Sequence, residues 1–359
     1  MQEKPWCEEV SGTRIFRWPE DPDEYDENAK KEITGEVAAI IQRGGLVAFP
    51  TETVYGLGAD VFNSEAVEKI FKVKGRPLDN PFIIHLWDIS QLTSLAHDLP
   101  SHVQILAEKF WPGPLTLVLN RRQEINPSVS AGLPTVAVRI PNHPAAFAML
   151  EAADTPVAAP SANLSGKPSP TESSHVEEEL AGEIDAILDG GRCTVGVEST
   201  VLDLTGESPV ILRPGGVTRE ELEDCLQEKV IFPENRQSGQ PSSPGMKYRH
   251  YAPRAKMLLF KGEPAHIKEN MHEHYLRFQN AGNRVGILCT RENASLFPEA
   301  VVKTLGSQVD MREAATDLYR NLRELDKNNV DIILAESFPE KGIGAALTNR
   351  LEKAADEIV

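Results

Sequence analysis

Two short polar clusters, far apart in the chain, carry the residue types that handle a polyanion. Lys74-Gly75-Arg76-Pro77 places two cations two residues apart on a stretch stiffened by Gly and Pro, just after a helix. Ser161-Ala162-Asn163 follows a buried strand and offers a hydroxyl and an amide at its end. The cations suit negative charge and the neutral polar groups suit its orientation. Neither G-x-x-x-x-G-K-[ST] nor G-x-G-x-x-G occurs in the chain. Nucleotide phosphates, if bound, must therefore be met by side chains rather than by a glycine cradle.

Other candidate groups recur at strand ends. Pro50-Thr51-Glu52-Thr53-Val54-Tyr55-Gly56-Leu57-Gly58 follows a buried strand and reads either as a strand-to-turn corner or as a substrate-lining loop. Lys72 suits dipole compensation at a helix C-terminus, whereas Gly75 and Pro77 end the helix and hold Lys74 and Arg76 outside it. Asn80 and His85 continue the polar series; His85 reads as a core or a ligand-facing imidazole. Arg139 lies in the apolar strand Val136–Ile140, and buried it must be paired, by a carboxylate of the protein or of a ligand. Trp111-Pro112-Gly113-Pro114 reads as a stiff structural corner. Small residues at Ala158-Ala159-Pro160, ahead of Ser161, permit close approach of something flat. Glu198-Ser199-Thr200 and Arg213-Pro214-Gly215 repeat the pattern of polar groups at strand ends. Together they describe one cleft lined with cations, hydroxyls and one histidine.

The elements that must position these groups are legible as short strands and amphipathic helices. Helices read at 28–42, 65–73 (with Ser64 as N-cap), 101–110, 144–152, 174–181 and 219–227; strands read at 46–49, 82–86, 115–119, 136–140, 156–159, 186–188, 200–204 and 210–212. Strands outnumber helices and connections are short, so the sheet is expected to be mixed. Residues 232–245, rich in Ser, Pro, Gly and Gln, read as a linker. From Ala255 a smaller α/β unit follows, with strands at 257–260, 285–289 and 332–335 and helices at 266–281, 312–325 and 343–355. That alternation predicts a small parallel sheet.

At 359 residues, with 40% apolar and 25% charged residues, the chain reads as a two-domain globular protein. No apolar run approaches the roughly 18 residues of a membrane span, and the N-terminus lacks the layout of a secretion signal. The four cysteines are dispersed without a C-x-x-C pair, which argues against a disulfide framework or zinc site and for a reducing cytoplasm. A net charge of −17 excludes a general nucleic-acid platform and confines any polyanion to a local basic pocket.

Pro50–Gly58, Lys74-Gly75-Arg76, Ser161-Ala162-Asn163 and Ser243-Pro244-Gly245-Met246-Lys247-Tyr248-Arg249-His250-Tyr251-Ala252-Pro253 resemble the L-threonylcarbamoyladenylate synthase family in its long form. The resemblance covers residues 30–359 and implies an α/β protein with a YrdC-like catalytic domain with a twisted mixed sheet (30–230), a linker acting as a lid (231–254) and a smaller Rossmann-like parallel α/β domain (255–359). The acidic N-terminal extension (1–29) departs from the family pattern. It implies formation of threonylcarbamoyl-AMP and pyrophosphate from L-threonine, bicarbonate and ATP, with Mg2+ accompanying ATP. A downstream tRNA threonylcarbamoyl transferase complex would use the product at adenosine 37 of tRNAs reading codons that begin with A.

Carried over residue by residue, the family pattern puts Lys74, Arg76, Ser161 and Asn163 at the catalytic centre. Arg76, Asn80, Thr135, Ser161, Ser169, Arg213 and Tyr251 would contact ATP. Thr53, His85, Arg139, Ala159 and Ser199 would hold threonine, with Arg139 at its carboxylate. No protein-bound structural metal and no membrane is implied. The rivals are a carbamoyl-adenylate-forming transferase, disfavoured by the absence of cysteine pairs, and an RNA-binding module, for which the negative charge leaves only weak local tRNA contact.

Overall fold

A computed structural model describes residues 4–19, 27–232, 250–307 and 310–359. The chain divides into two compact units: one takes 1–165, 170–194 and 198–247, the other 166–169, 195–197 and 248–359. The Met246–Arg249 part of the basic–aromatic stretch, and most of the expected linker, lie outside the described residues.

The first unit is built on strands β1 (Cys7–Val10), β2 (Thr13–Arg17), β3 (Val47–Phe49), β4 (Gly56–Asp60), β5 (Ile83–His85), β6 (Leu115–Asn120), β7 (Thr135–Arg139), β8 (Val157–Ala159), β9 (Ala186–Asp189), β10 (Thr200–Asp203) and β11 (Val210–Arg213). They form one mixed sheet in the order β1-β2-β9-β3-β4-β8-β5-β7-β6-β10-β11. Its two faces are read directly from alternation along the strands. Ala48, Ala158, Ile187, Ile84, Val138 and Leu117 enter one large core. Their neighbours Val47, Phe49, Val157, Ala159 and Leu188 enter a second core on the other face. On that second face, beyond β8, apolar packing shrinks to Ile83, Val118, Ala137, Val201 and Leu212. The polar side chains of the sheet gather there.

The second unit carries β12 (Lys256–Phe260), β13 (Val285–Cys289), β14 (Val301–Thr304), β15 (Ile332–Glu336) and β16 (Glu357–Ile358). The order is β14-β13-β15-β12-β16, and every pairing is parallel. Central β13 and β15 are buried throughout, as strands covered on both faces must be. Helices Pro264–Asn280, Met311–Lys327 and Ile343–Ala354 complete the unit. Among the described residues no helix is long and apolar enough to cross a membrane, and all four cysteines are unpaired.

Several local expectations are corrected. The helix Ser64–Lys74 is capped by Asn63, whose side chain accepts from the Ala66 amide, so Ser64 is its first residue rather than its cap. Lys74 is the last residue inside that helix; Gly75, at φ 59°, closes it and only Arg76 lies outside. Residues 56–60, within and beyond the loop read at 50–58, form β4, and β1, β14 and β16 are strands that patterning did not indicate.

Gly215 follows β11 so closely that a Cβ there would lie 2.3 Å from Glu198 O, Ser199 C and Thr200 N. This contact seats the turn after β11 against the entry to β10. Gly215→Ala is therefore expected to lower stability by about 1–3 kcal/mol through overpacking. The urea midpoint tests this, and an unshifted midpoint would refute the close approach.

Candidate active site

Register pairing builds the site across the sheet. His85 at the end of β5 lies opposite Arg139 at the end of β7. Thr116 of β6 lies opposite Val201 of β10, and Val201 lies opposite Arg213 of β11. Paired residues share a face, and alternation puts His85 and Arg139 on the face of Ile83 and Ala137, opposite the large core. Loop 50–55 reaches Arg139 although β4, β8 and β5 intervene in the sheet between β3 and β7. It therefore lies across this polar face.

Arg139 is 3% exposed and is held by three residues from two chain segments. Nε donates to Gly113 O at 3.1 Å and Nη1 to Thr53 Oγ1 at 2.9 Å. Nη2 lies 2.6 Å from Glu52 Oε1, an ion pair rather than an angularly aligned hydrogen bond. The protein thus supplies one carboxylate to Arg139, that of Glu52, itself buried. Its second oxygen accepts from the Asn142 amide at 2.9 Å. N–H groups remain on both terminal nitrogens of Arg139. Thr53 Oγ1 is also 2.8 Å from Thr51 Oγ1, which donates to Val54 O and folds the loop onto itself.

His85 is 4% exposed, meets Phe49 edge-on at 5.5 Å, and has no hydrogen-bond partner at Nδ1. Burial, then the Arg139 charge, pushes its pKa down to about 3. The imidazole is therefore neutral at physiological pH. Ser199 is buried between Thr116, whose Oγ1 is 2.8 Å from Ser199 Oγ, and Arg213, whose Nη2 donates to the same oxygen at 3.2 Å. Arg213 also donates to the Ser199 carbonyl from Nε at 3.2 Å and from Nη2 at 3.0 Å. Ala159, on β8, pairs with Ile83 of β5.

The two clusters singled out by their chemistry touch through Lys74. This side chain is 3% exposed, and its Nζ donates to Ser161 O at 2.5 Å and to Asn163 O. Burial, then the nearby Arg76 charge, depresses its pKa well below the usual lysine value, with Glu179 opposing. Arg76 is half-buried; Nε donates to Asn80 O at 3.1 Å and Nη2 to Pro81 O at 2.8 Å, and the guanidinium lies over Phe82. Asn80 is buried with Oδ1 lacking a hydrogen-bond partner, and Asn163 Nδ2 donates to Leu164 O. Thr135 opens β7 opposite Asn120.

Ser169 and Tyr251 belong to the second unit. Ser169 is fully buried. Tyr251 adopts φ 65° and is 5% exposed; its ring lies 5.2 Å from that of Tyr319, with Arg350 over it.

Three participants escaped the reading of the residues. In the sequence Glu52 stands out only as part of its loop, with no sign that it partners Arg139. Gly113 belongs to a corner read as purely structural, and Thr116 sits unremarked in an apolar strand. The need of a buried arginine for a carboxylate was the signal for Glu52. Nothing in the residue pattern pointed to the other two.

The depressed imidazole gives a pH signature. Above about 6.5, the unperturbed histidine value, folded and unfolded chains both leave His85 neutral. Between there and about 3 the unfolded chain binds a proton that the folded chain refuses, so stability falls with acidification by up to ~1.4 kcal/mol per pH unit. Chemical denaturation from about pH 7 to about pH 4.5 should show wild type losing stability relative to His85→Gln; parallel curves would contradict the burial.

A family model for Sua5, YciO and YrdC proteins, described as Telomere recombination, matches residues 39–215. A second, described as Threonylcarbamoyl-AMP synthase, C-terminal domain, matches residues 217–356. The threonylcarbamoyl-AMP synthase of Bacillus subtilis is 47% identical over 325 residues, covering 89% of this chain and 92% of the relative. That of Schizosaccharomyces pombe is 42% identical over 349 residues, covering 87% and 85%. The crystal structure of Pyrococcus abyssi Sua5 complexed with L-threonine aligns with a TM-score of 0.87 at 42% identity, covering 96% of this chain and 98% of that one. The chain thus belongs to the Sua5-type threonylcarbamoyl-AMP synthase family, a YrdC-type domain followed by a Sua5 C-terminal domain.

Proposed function

We propose that the polar face of the larger sheet condenses L-threonine, bicarbonate and ATP into threonylcarbamoyl-AMP and pyrophosphate. The observation that carries this is Arg139: a buried guanidinium with N–H groups left over, register-paired with a neutral imidazole whose Nδ1 lacks a partner. Such a pair offers a carboxylate its cationic donors and an amino acid one neutral hydrogen-bonding group. The likeness to a synthase solved with L-threonine supports the same assignment.

In this scheme Arg139 takes the threonine carboxylate, with Thr53, His85, Ser199 and the backbone of Ala159 around the amino acid. Arg76 meets the ATP phosphates beside Asn80, while Lys74, turned inward, holds the carbonyls of Ser161 and Asn163 in place behind it; Ser161, Asn163, Thr135 and Arg213 orient the nucleotide. Ser169 and Tyr251, in the other unit, form no part of this proposal. Bicarbonate takes up a proton and loses water to give CO2; the threonine amine attacks its carbon, one C–O π bond opens, and the nitrogen loses a proton to solvent, giving a carbamate. A carbamate oxygen then attacks the α-phosphorus, and the bond to the bridging oxygen breaks to release pyrophosphate. Positioning and charge neutralisation dominate such a transfer, which suits a site with more cations and hydroxyls than carboxylates.

Among the described residues no three His, Cys, Asp or Glu side chains gather as a metal cage, and the carboxylate of the site, Glu52, is engaged by Arg139. Mg2+ accompanying ATP would add to the neutralisation of phosphate charge that Arg76 supplies. The product passes, in a reducing cytoplasm, to a separate transferase complex that modifies adenosine 37 of tRNAs reading ANN codons; the −17 charge disfavours tight tRNA binding by this chain alone.

Purified protein should release pyrophosphate from ATP only when threonine and bicarbonate are both supplied; threonine-independent release would overturn the scheme. Arg76→Ala should cut kcat/KM by at least about 100-fold. Its melting temperature should hardly move, because Arg76 bonds to carbonyls of its own loop. Retained turnover would remove Arg76 from the site.

A further inference from the structure

We propose that Glu52 is a positioning residue for threonine, acting through Arg139; this rests on the assignment of the threonine carboxylate to Arg139 made above. Glu52 stands in a loop of hydroxyl and apolar residues, Pro50-Thr51-Glu52-Thr53-Val54, and is buried. A buried carboxylate is tolerated only when its oxygens are partnered. Here Oε1 faces Arg139 Nη2 at 2.6 Å and Oε2 accepts from the Asn142 amide at 2.9 Å.

Both partners can only donate. The position therefore requires two acceptor oxygens, which a carboxylate has and an amide has not. Glutamine would offer one acceptor and turn an N–H toward a second donor, so one of the two contacts must be lost. Aspartate keeps both acceptors and falls short by one methylene.

The arrangement also sets the charge state of the pocket. With Glu52 in place the ion pair is neutral overall, so Arg139 remains buried before any ligand arrives. The guanidinium is pinned at Nε by Gly113 O, at Nη1 by Thr53 Oγ1 and at Nη2 by Glu52. Its remaining N–H groups consequently point in fixed directions, and threonine recognition depends on where they point. Glu52 touches neither reacting atom in this scheme; it decides the aim of the group that does.

The test is a double-mutant cycle read by steady-state pyrophosphate release. Glu52→Gln should raise KM for threonine about tenfold, the loss of roughly one charge-assisted contact, and leave kcat and KM for ATP within about twofold. Glu52→Asp should recover part of the loss. Arg139→Met should raise KM for threonine too, and adding Glu52→Gln to Arg139→Met should change nothing further. An unchanged threonine KM in Glu52→Gln, the same rise persisting in the Arg139→Met background, or parallel rises for ATP and threonine would each overturn the role. Should Glu52→Gln fail to fold, Glu52→Asp takes its place in the cycle: a rise in threonine KM that vanishes in the Arg139→Met background supports the role, and an unchanged KM or a rise that persists there overturns it. If Arg139→Met alone leaves threonine KM unchanged, the assignment of Arg139 fails, and the role of Glu52 fails with it.

Discussion

A guanidinium buried in the middle of a sheet face governs the rest of the site. Arg139 can occupy that position only if its charge is balanced and its donors are satisfied, and no neighbour on β7 supplies either. The balancing carboxylate, the accepting hydroxyl and the accepting carbonyl come instead from Glu52, Thr53 and Gly113. These residues lie in two loops remote in sequence; Thr53 is 86 residues from Arg139. The path of loop 50–55 over the polar face is thus a condition for burying the arginine. What looks like an active-site loop is first a solution to an electrostatic problem, and the exact placement of Thr53 and His85 follows from it.

A second coupling joins the two polar clusters. Lys74 ends its helix with the ammonium against the carbonyls of Ser161 and Asn163, and its own carbonyl accepts from Ser165. The helix C-terminus and the turn after β8 are therefore one assembly, with Arg76 just beyond the Gly75 cap. Ser199 plays a comparable part on the far side, where Thr116 and Arg213 converge on its hydroxyl.

Much of this was legible from residue types. Runs such as Leu115–Leu119 and Val285–Cys289 carry strand propensity and bounding turns, and they are strands. Gly56–Asp60 is not legible as one, because Gly-Leu-Gly-Ala-Asp has little intrinsic strand preference; it pairs because small residues fit against Phe49 and Val157. Asn63 outcompeted Ser64 as a cap, a one-residue choice that local chemistry leaves nearly balanced. The demand of Arg139 for a carboxylate was visible, but its source was not, since a tertiary contact across three intervening strands leaves no local trace. The capture of Lys74 by carbonyls was hidden for the same reason: spacing suggested a cation held out toward a ligand, and the fold turned it inward.

The hairpin at the start of the chain has a consequence for the order of folding. β2 lies parallel to β9, with Arg14 opposite Ala186 and Ile15 opposite Ile187, and Thr13 donates to Ile184 O. β1 pairs locally with β2 as an antiparallel hairpin, but the other edge of β2 must wait for a strand some 170 residues further along the chain. Pairings of such long sequence separation close late and slowly. Until that pairing closes, Ile15 and Phe16, which end buried in opposite cores, lack the strand that completes their cover.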